Sequence, residues 1–293
     1  MKVILNPYSG RLNQVEKMAI VNRGLAEAGL DFEISITQAR GHAADLAEAA
    51  RSEEWPAIVV VGGDGTINEV VNGLMRSRPT GAIGPLGLIP LGTANDLATM
   101  LDLPADPRAA CRRIGQGRLR LIDLGQVNDQ YFVNNSAVGL EPMVAIAYEQ
   151  IRWLKGDFRY IVAALWSILW ISYWKTNLTW DSGALDDSMT IISVGNSPRT
   201  GGAFYMTPKA RLDDGQLDFI HGPKMSRLQL LKLLPQTFKG RHIDHPLVTY
   251  AQSAALSITA SPATPIQADG EIIDRHATEI RYRILPRKLQ VII

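Results

Sequence analysis

Ile58-Val59-Val60-Val61-Gly62-Gly63-Asp64-Gly65-Thr66-Ile67-Asn68-Glu69-Val70-Val71 is a β-branched run that ends in Gly-Gly-Asp-Gly-Thr and passes at once into an apolar/polar pattern of helical spacing. The run predicts a buried strand, the glycines a tight turn, and residues 68–74 the first turns of a helix. Three glycines in four residues let backbone N–H groups point at one spot, because glycine reaches positive φ without a Cβ clash. Such a turn beside a helix N-terminus is a site for phosphate. The alternative is an ordinary strand-to-helix turn that needs glycine for its geometry.

The same alternation extends on both sides. Residues 2–5 read as an opening strand, broken by Asn6-Pro7-Tyr8-Ser9-Gly10. A helix over 15–29, a strand over 31–37 and an alanine-rich helix over 41–51 follow. After the central stretch comes a strand at 86–90, which ends in Leu91-Gly92-Thr93-Ala94-Asn95-Asp96. Strands alternating with helices over residues 1–122 predict a doubly wound, mostly parallel α/β sheet. Ligands of such sheets collect at the carboxyl ends of the strands, where the turns 6–10, 37–41, 62–66 and 92–96 fall.

Past Ile122 the pattern changes. A hairpin is expected around Asn128-Asp129, and β-rich segments at 189–194, 216–220, 256–259 and 279–284 predict a C-terminal β-sandwich. Helical stretches at 142–171 and 226–237 interrupt it. The expected domains are therefore 1–123 and 124–293, with the last strand free to return to the first.

The 293 residues carry a formal net charge of +1, against a nucleic-acid protein that relies on a basic surface. The single cysteine, Cys111, excludes an intrachain disulfide and a cysteine-clustered zinc site. The first residues are too short an apolar run for a signal peptide, and the longest apolar stretch, 161–174, is shorter than the roughly 20 residues of a spanning helix, so a cytoplasmic protein is expected. The five histidines (His42, His221, His242, His245, His276) form no metal pattern, and no Gly-x-Ser-x-Gly is present.

Four features stand together in order: residues 62–66, residues 92–96, Asp213-Asp214-Gly215-Gln216-Leu217-Asp218, and Asp269-Gly270-Glu271. With Asn6-Pro7-Tyr8-Ser9-Gly10 and Ile67-Asn68-Glu69 they make the chain resemble the diacylglycerol kinase catalytic family, in particular its bacterial soluble lipid kinases, over essentially its whole length. The resemblance implies an ATP- and magnesium-dependent kinase that phosphorylates a lipid hydroxyl, such as that of diacylglycerol, phosphatidylglycerol or a sphingoid base. It places the ATP phosphates against Gly62, Gly63, Asp64, Gly65, Thr66, Ile67 and Asn68, with Asn6, Ser9 and Gly10 nearby and Thr37 and Thr93 also at the nucleotide. The turn lacks the lysine of a Gly-x-x-x-x-Gly-Lys-Ser/Thr loop, which leaves charge neutralisation to backbone N–H groups and magnesium, with Asp64 to hold or orient the metal. The resemblance assigns the general base to Glu271, and a second magnesium to Asp214 with the carbonyls of Arg211 and Gln216. The solvated alternative for each of these carboxylates is a surface turn.

Trp153, Trp166, Trp170 and Trp174 recur through an apolar helical stretch flanked by Arg152, Lys155, Arg159 and Lys175. One reading is a core-facing helix that covers the sandwich. The other is a face on a lipid surface, which makes the enzyme peripheral to the inner face of the membrane. The expected partners are a lipid substrate at a membrane surface and no nucleic acid, with a homodimer left open. Two rival functions remain: an NAD kinase, which shares Gly-Gly-Asp-Gly-Thr, and a nucleotide- or lipid-binding regulator without turnover.

Overall fold

The computed structural model describes residues 1–76, 80–151, 154 and 157–293. The chain divides into two units, Met1–Leu124 with Leu285–Ile293, and Gly125–Ile284.

The first unit alternates β1 (Lys2–Leu5), α1 (Gln14–Glu27), β2 (Glu33–Ile36), α2 (His42–Ser52), β3 (Ile58–Gly62), α3 (Asp64–Met75), β4 (Ile83–Pro90), α4 (Asp96–Met100) and α5 (Pro107–Gln116). β1 pairs in parallel with β2 and β3, and β3 in parallel with β4. β1 and β3 are buried end to end because helices cover both faces, which is why they read as unbroken apolar runs, while the edge strand β2 is half-exposed. One face packs Val21 and Leu25 of α1 and Cys111 and Ile114 of α5 onto Val3, Leu5, Val59 and Val61. Burial pushes the Cys111 thiol up to about 11, so it is a packing residue and not a nucleophile. α2 and α3 pack on each other closely enough that a Cβ at Gly73 would lie 2.2 Å from the Ala44 carbonyl oxygen. α1 opens on a capping box, in which Asn13 Oδ1 accepts from Glu16 N at 3.0 Å and Glu16 Oε2 accepts from Asn13 N at 2.9 Å.

β5 (Leu119–Val127) carries the chain into the second unit. There follow β6 (Gln130–Phe132), β7 (Asn135–Gly139), α6 (Leu140–Gln150), α7 (Asp157–Leu169), β8 (Trp174–Trp180), β9 (Gly183–Gly195), β10 (Leu217–Pro223), α8 (Arg227–Thr237), a 3₁₀ turn (Arg241–Asp244), β11 (Thr249–Ser253), β12 (Ala255–Ala268) and β13 (Glu271–Ile292). The pairing is antiparallel, and two long strands each serve two layers. β9 pairs with β8 through its first half and with β7 and β10 through its second. β12 pairs with β8 through residues 256–261 and, after register shifts, with β7 through Ile266, Gln267 and Ala268. Strands that bend in this way between sheets make the corners of a sandwich. Its core gathers Phe132, Leu178, Ile192, Val194, Phe219, Ile258, Ile280 and Tyr282. The end of β13 leaves this unit, and Leu289 and Val291 pair in parallel with Ile83 and Leu86 of the first.

Three local expectations change. α3 begins at Asp64, not at 68: Gly63 is its extended N-cap, and the amides of Thr66 and Ile67 bond back to the Gly63 carbonyl at 3.0 and 3.1 Å. The predicted helix over 142–171 is two helices, and Trp174 opens a strand with its indole buried in the sandwich. His221 lies in β10, whose residues 217–222 are all buried. Arg152, Trp153 and Lys155 lie outside the described residues. Among the described residues no helix is long and apolar enough to cross a membrane.

Candidate functional site

In the first unit three turns interlock at the carboxyl ends of β1, β3 and β4. The backbone runs so close between them that side chains have no room. A Cβ at Gly92 would lie 2.4 Å from the Cα of Gly63, and a Cβ at Gly10, where φ is +65°, would lie 1.9 Å from the Leu91 carbonyl oxygen. Hydrogen bonds hold the same contacts: Asn6 N to Val61 O, Leu91 N to Gly62 O, and Asn6 Nδ2 to Thr66 Oγ1, each at 2.9 Å. Asn95, at φ +50°, closes its own turn, its Oδ1 accepting from Gly92 N and its Nδ2 donating to Gly92 O. Asp64 Oδ1 accepts from Leu97 N at 3.2 Å, so this carboxylate ties the start of α3 to the start of α4.

Asn6, Ser9, Gly10, Gly62, Gly63, Asp64, Gly65 and Thr66 thus fall on neighbouring turns. Thr37 reaches the same edge of the sheet through its amide, which donates to Leu5 O at 2.9 Å, and its side chain is buried. Thr93 is exposed on the 92–95 turn. Ile67 faces the core, and Asn68 takes a bond from the Asn72 amide, Nδ2 to O at 2.9 Å. Glu69 has a structural task. Its carboxylate accepts from Gly41 N at 2.9 Å and Ala43 N at 3.2 Å and so caps α2, whose own N-cap is a glycine without a side chain.

Lys17 is the residue that sequence reasoning missed. It is fully buried, and its ammonium donates to the carbonyls of Asn6 at 3.0 Å, Pro7 at 2.9 Å and Ser9, with Ser9 Oγ at 3.4 Å. Desolvation lowers its pKa from the ordinary lysine value. A cation therefore stands directly behind the 6–9 turn, although the glycine loop itself has none. The signal was available: Lys17, Val21, Gly24 and Leu25 share the buried face of α1, where a lysine is out of place unless it has acceptors.

In the second unit Asp269, Gly270 and Glu271 form the turn between β12 and β13, with φ of +47° at Asp269 and +84° at Gly270. Asp269 is a clamp: Oδ2 accepts from Val133 N at 2.7 Å, and Oδ1 from Asn134 N at 2.8 Å and Asn135 N at 3.1 Å. Gly270 N donates to Gln267 Oε1 at 2.7 Å. Glu271, partly exposed, leaves this fixed turn at the first residue of β13.

Behind the turn lies a buried polar cluster that the sequence did not reveal. Glu141 Oε1 accepts from Asn135 Nδ2 at 2.7 Å and from Gln267 Nε2 at 3.1 Å, while its Oε2 is buried without a partner. Burial raises the Glu141 pKa, and the Asn135 amide, the Ser193 hydroxyl and the Gln267 amide oppose it. Glu141 also lines a pocket whose wall is otherwise almost wholly apolar: Val144 of α6, Ile168 of α7, Ile191 of β9, and Leu230 and Leu233 of α8. His242 lines it too, kept neutral by burial, with Nε2 at 3.1 Å from Met206 O.

Asp214 stands on a separate, exposed turn before β10, where its Oδ1 accepts from Gln216 N at 3.1 Å; Arg211 is 3.8 Å from Asp213. The buried carboxylate nearby is Asp218, held by Tyr250 and by Gln252 at 3.1 Å, and burial raises its pKa. Among the described residues no three acids, histidines or cysteines form a metal cluster.

A parallel α/β unit with interlocked glycine turns at its strand ends, joined to a β-sandwich unit, defines a phosphotransferase of the kinase class. Residues 1–127 match the diacylglycerol kinase catalytic domain and residues 134–293 match the YegS C-terminal NAD kinase beta sandwich-like domain, and the chain belongs to the diacylglycerol kinase catalytic family. It is an enzyme of the lipid kinase class, and the family uses ATP as co-substrate, usually with a divalent metal. A diacylglycerol kinase of Staphylococcus carnosus is 30% identical over 275 residues, 92% of this chain and 88% of its own. One of Staphylococcus epidermidis is 29% identical over 277 residues, 92% and 85% of the two chains. In fold, the chain is similar to a crystal structure of a candidate diacylglycerol kinase from Bacillus anthracis (TM-score 0.82, 24% identity, 99% of this chain and 96% of that one). It is more distantly similar to a yeast NADH kinase complexed with NADH (TM-score 0.51, 12% identity, 99% and 82%).

Proposed function

We propose that this enzyme transfers the γ-phosphoryl group of ATP to the hydroxyl of a lipid, with diacylglycerol the leading acceptor and phosphatidylglycerol and sphingoid bases within the same chemistry. The observation that carries the ATP side is the contact of the 6–10, 62–66 and 91–95 turns in the first unit, backbone against backbone, at the carboxyl ends of parallel strands. The amides of Asp64 and Gly65 precede the first bond back to Gly63 O and suit phosphate oxygens. Lys17 fixes the Asn6–Ser9 carbonyls from behind and adds positive potential where the loop lacks a lysine.

A magnesium ion fits these residues as a partner of the phosphates. Such an ion takes one or two carboxylates with phosphates and waters and needs no all-protein cage, so Asp64 suffices without an acid cluster among the described residues. When bound it would neutralise charge on the transferring group. Asp64 orients it while remaining tied to Leu97 N. At Asp214 the exposed carboxylate and the carbonyls of Arg211 and Gln216 offer a second, structural or regulatory position for a hard cation.

Glu271 takes the proton from the attacking hydroxyl as the oxygen–phosphorus bond forms. Asp269 supports that assignment, because it locks the turn from which Glu271 projects. The first domain, residues 1–123, holds the nucleotide, and residues 124–293 receive the lipid, with the apolar cavity of α6, α7 and α8 suited to an acyl chain.

The test is incubation with labelled ATP, magnesium and a total lipid extract, with identification of the labelled lipid. NAD serves as a rival acceptor in the same assay. Glu271→Gln is expected to lower kcat by at least about a hundredfold, the usual contribution of a general base. Activity near that of the parent would sink its role, and labelled NADP in place of labelled lipid would sink the lipid acceptor.

A further inference from the structure

α7 is apolar on both sides, and α8 exposes leucines between Arg227, Gln229 and Lys232. Their inner sides are accounted for: Ala163, Ala164 and Ile168 of α7 and Leu230 and Leu233 of α8 are buried. Their outer sides carry Leu165, Trp166, Leu169, Trp170, Leu228 and Leu231, where a surface helix of a soluble protein carries polar residues. Trp166 and Trp170 are 55% and 66% exposed and lie side by side, with ring centroids 6.3 Å apart. The two helices form one surface, since Arg227 Nε donates to Leu169 O at 3.0 Å and Ile168 packs in one cluster with Leu230 and Leu233. A contiguous exposed patch of this kind marks a contact surface.

Charge identifies what it contacts. Between Gly222 and Gly240 the chain has four cations, Lys224, Arg227, Lys232 and Lys239, and no acid, in a protein whose formal net charge is only +1. All four are exposed. Tryptophans and leucines beside a concentrated positive charge match a bilayer whose surface is anionic. The same two helices also wall the apolar cavity, so the surface and the cavity share one structural element.

We propose that the outer faces of α7 and α8 are the surface by which this enzyme docks on an anionic phospholipid bilayer. The inference deepens the lipid-kinase reading and rests on it for its purpose, but the docking is measurable without turnover.

The experiment is sedimentation of the full chain with sucrose-loaded vesicles, in the absence of ATP. One set is phosphatidylcholine alone and the other phosphatidylcholine with phosphatidylglycerol. The parent is expected to bind the mixed vesicles in preference and to release them as salt is raised. Lys232→Glu with Lys239→Glu should weaken that binding by about thirtyfold, taking about 1 kcal/mol for each lysine near an anionic surface. Trp166→Ser with Trp170→Ser should weaken it by at least about tenfold. All four side chains are exposed, so unchanged thermal melts are expected and confirm that the variants are folded. Equal binding to both vesicle sets, or binding indifferent to both double variants, overturns the proposal. So does a mass in solution showing that the tryptophans bury in a second copy of the chain, with vesicle binding absent. Vesicle binding as expected with no labelled lipid in the kinase assay would leave the surface standing and remove the kinase reading, and the converse result would do the reverse.

Discussion

Asp269→Asn isolates one carboxylate that does structural work beside the proposed base. The aspartate takes three backbone N–H bonds from consecutive residues, at 2.7, 2.8 and 3.1 Å, and uses both oxygens. An asparagine offers one oxygen. If that oxygen keeps the Asn134 and Asn135 amides, the new NH₂ faces the N–H of Val133, a residue only 1% exposed. One hydrogen bond to a charged acceptor is then lost, about 1.5–3 kcal/mol, and the other two become neutral and weaker. The expected loss is about 3 kcal/mol. For a unit the size of Gly125–Ile284 this corresponds to a fall in melting temperature of about 6–12 °C. Tryptophan fluorescence is the right probe, because five of the six tryptophans lie in that unit and only Trp55 in the other. Kinase activity should fall as well at temperatures where the variant is folded, because Glu271 loses its fixed turn. A variant that melts within about 1 °C of the parent would falsify the clamp.

Lys17→Met removes the ammonium from three carbonyls of the Asn6–Ser9 turn, of which Asn6 O keeps another donor in the Ser9 hydroxyl, and should cost about 2–4 kcal/mol of stability and raise the KM for ATP more than it lowers kcat. Steady-state kinetics with denaturant melts check it, and an unchanged KM for ATP would refute the turn's part in nucleotide binding. Glu141→Gln tests a titration. Burial raises the folded pKa of Glu141 above its unfolded value, so the folded protein holds this proton more tightly. The stability Glu141 contributes relative to glutamine is therefore full below the unfolded pKa of about 4.3 and is lost as pH rises through the raised folded value. Melting temperatures of parent and variant between pH 4 and 8 should diverge in that direction, and a pH-independent difference would refute the assignment.

Much of the fold was legible locally. The β-branched runs at 2–5 and 58–61, each followed by a glycine turn and a helical pattern, announce parallel strands covered on both faces. The alternating burial of β8 and β12 is equally regular. Boundaries were less legible. α3 starts four residues earlier than its apolar periodicity suggests, because its first turn, Asp64-Gly65-Thr66, has no apolar side chain to show the period. The tryptophan-rich stretch was read as one helix because period alone does not separate a buried helix from a helix followed by a strand. Trp174 pairs with Met189 of the adjacent strand β9, and its buried indole donates to Ala263 O of the distant β12 at 3.3 Å.

By itself the sequence determined which residue types stand at each strand end: glycines where a turn needs them, carboxylates at 64, 214, 269 and 271, and a family pattern in their order. Only the tertiary structure decided what each does. Glycine is required at 10, 63 and 92 because three turns distant in sequence meet backbone to backbone. Asp64 and Asp269 are both acids in glycine turns. The first binds one amide, at Leu97, and the second binds three, at Val133, Asn134 and Asn135. Lys17 and Glu141 look like ordinary helix charges in sequence, and become a turn anchor and a buried acid only when their acceptors and donors arrive from elsewhere in the chain. Hydrogen bonding and desolvation depend on neighbours in space, and those neighbours are set by the packing of the whole unit and not by any local stretch.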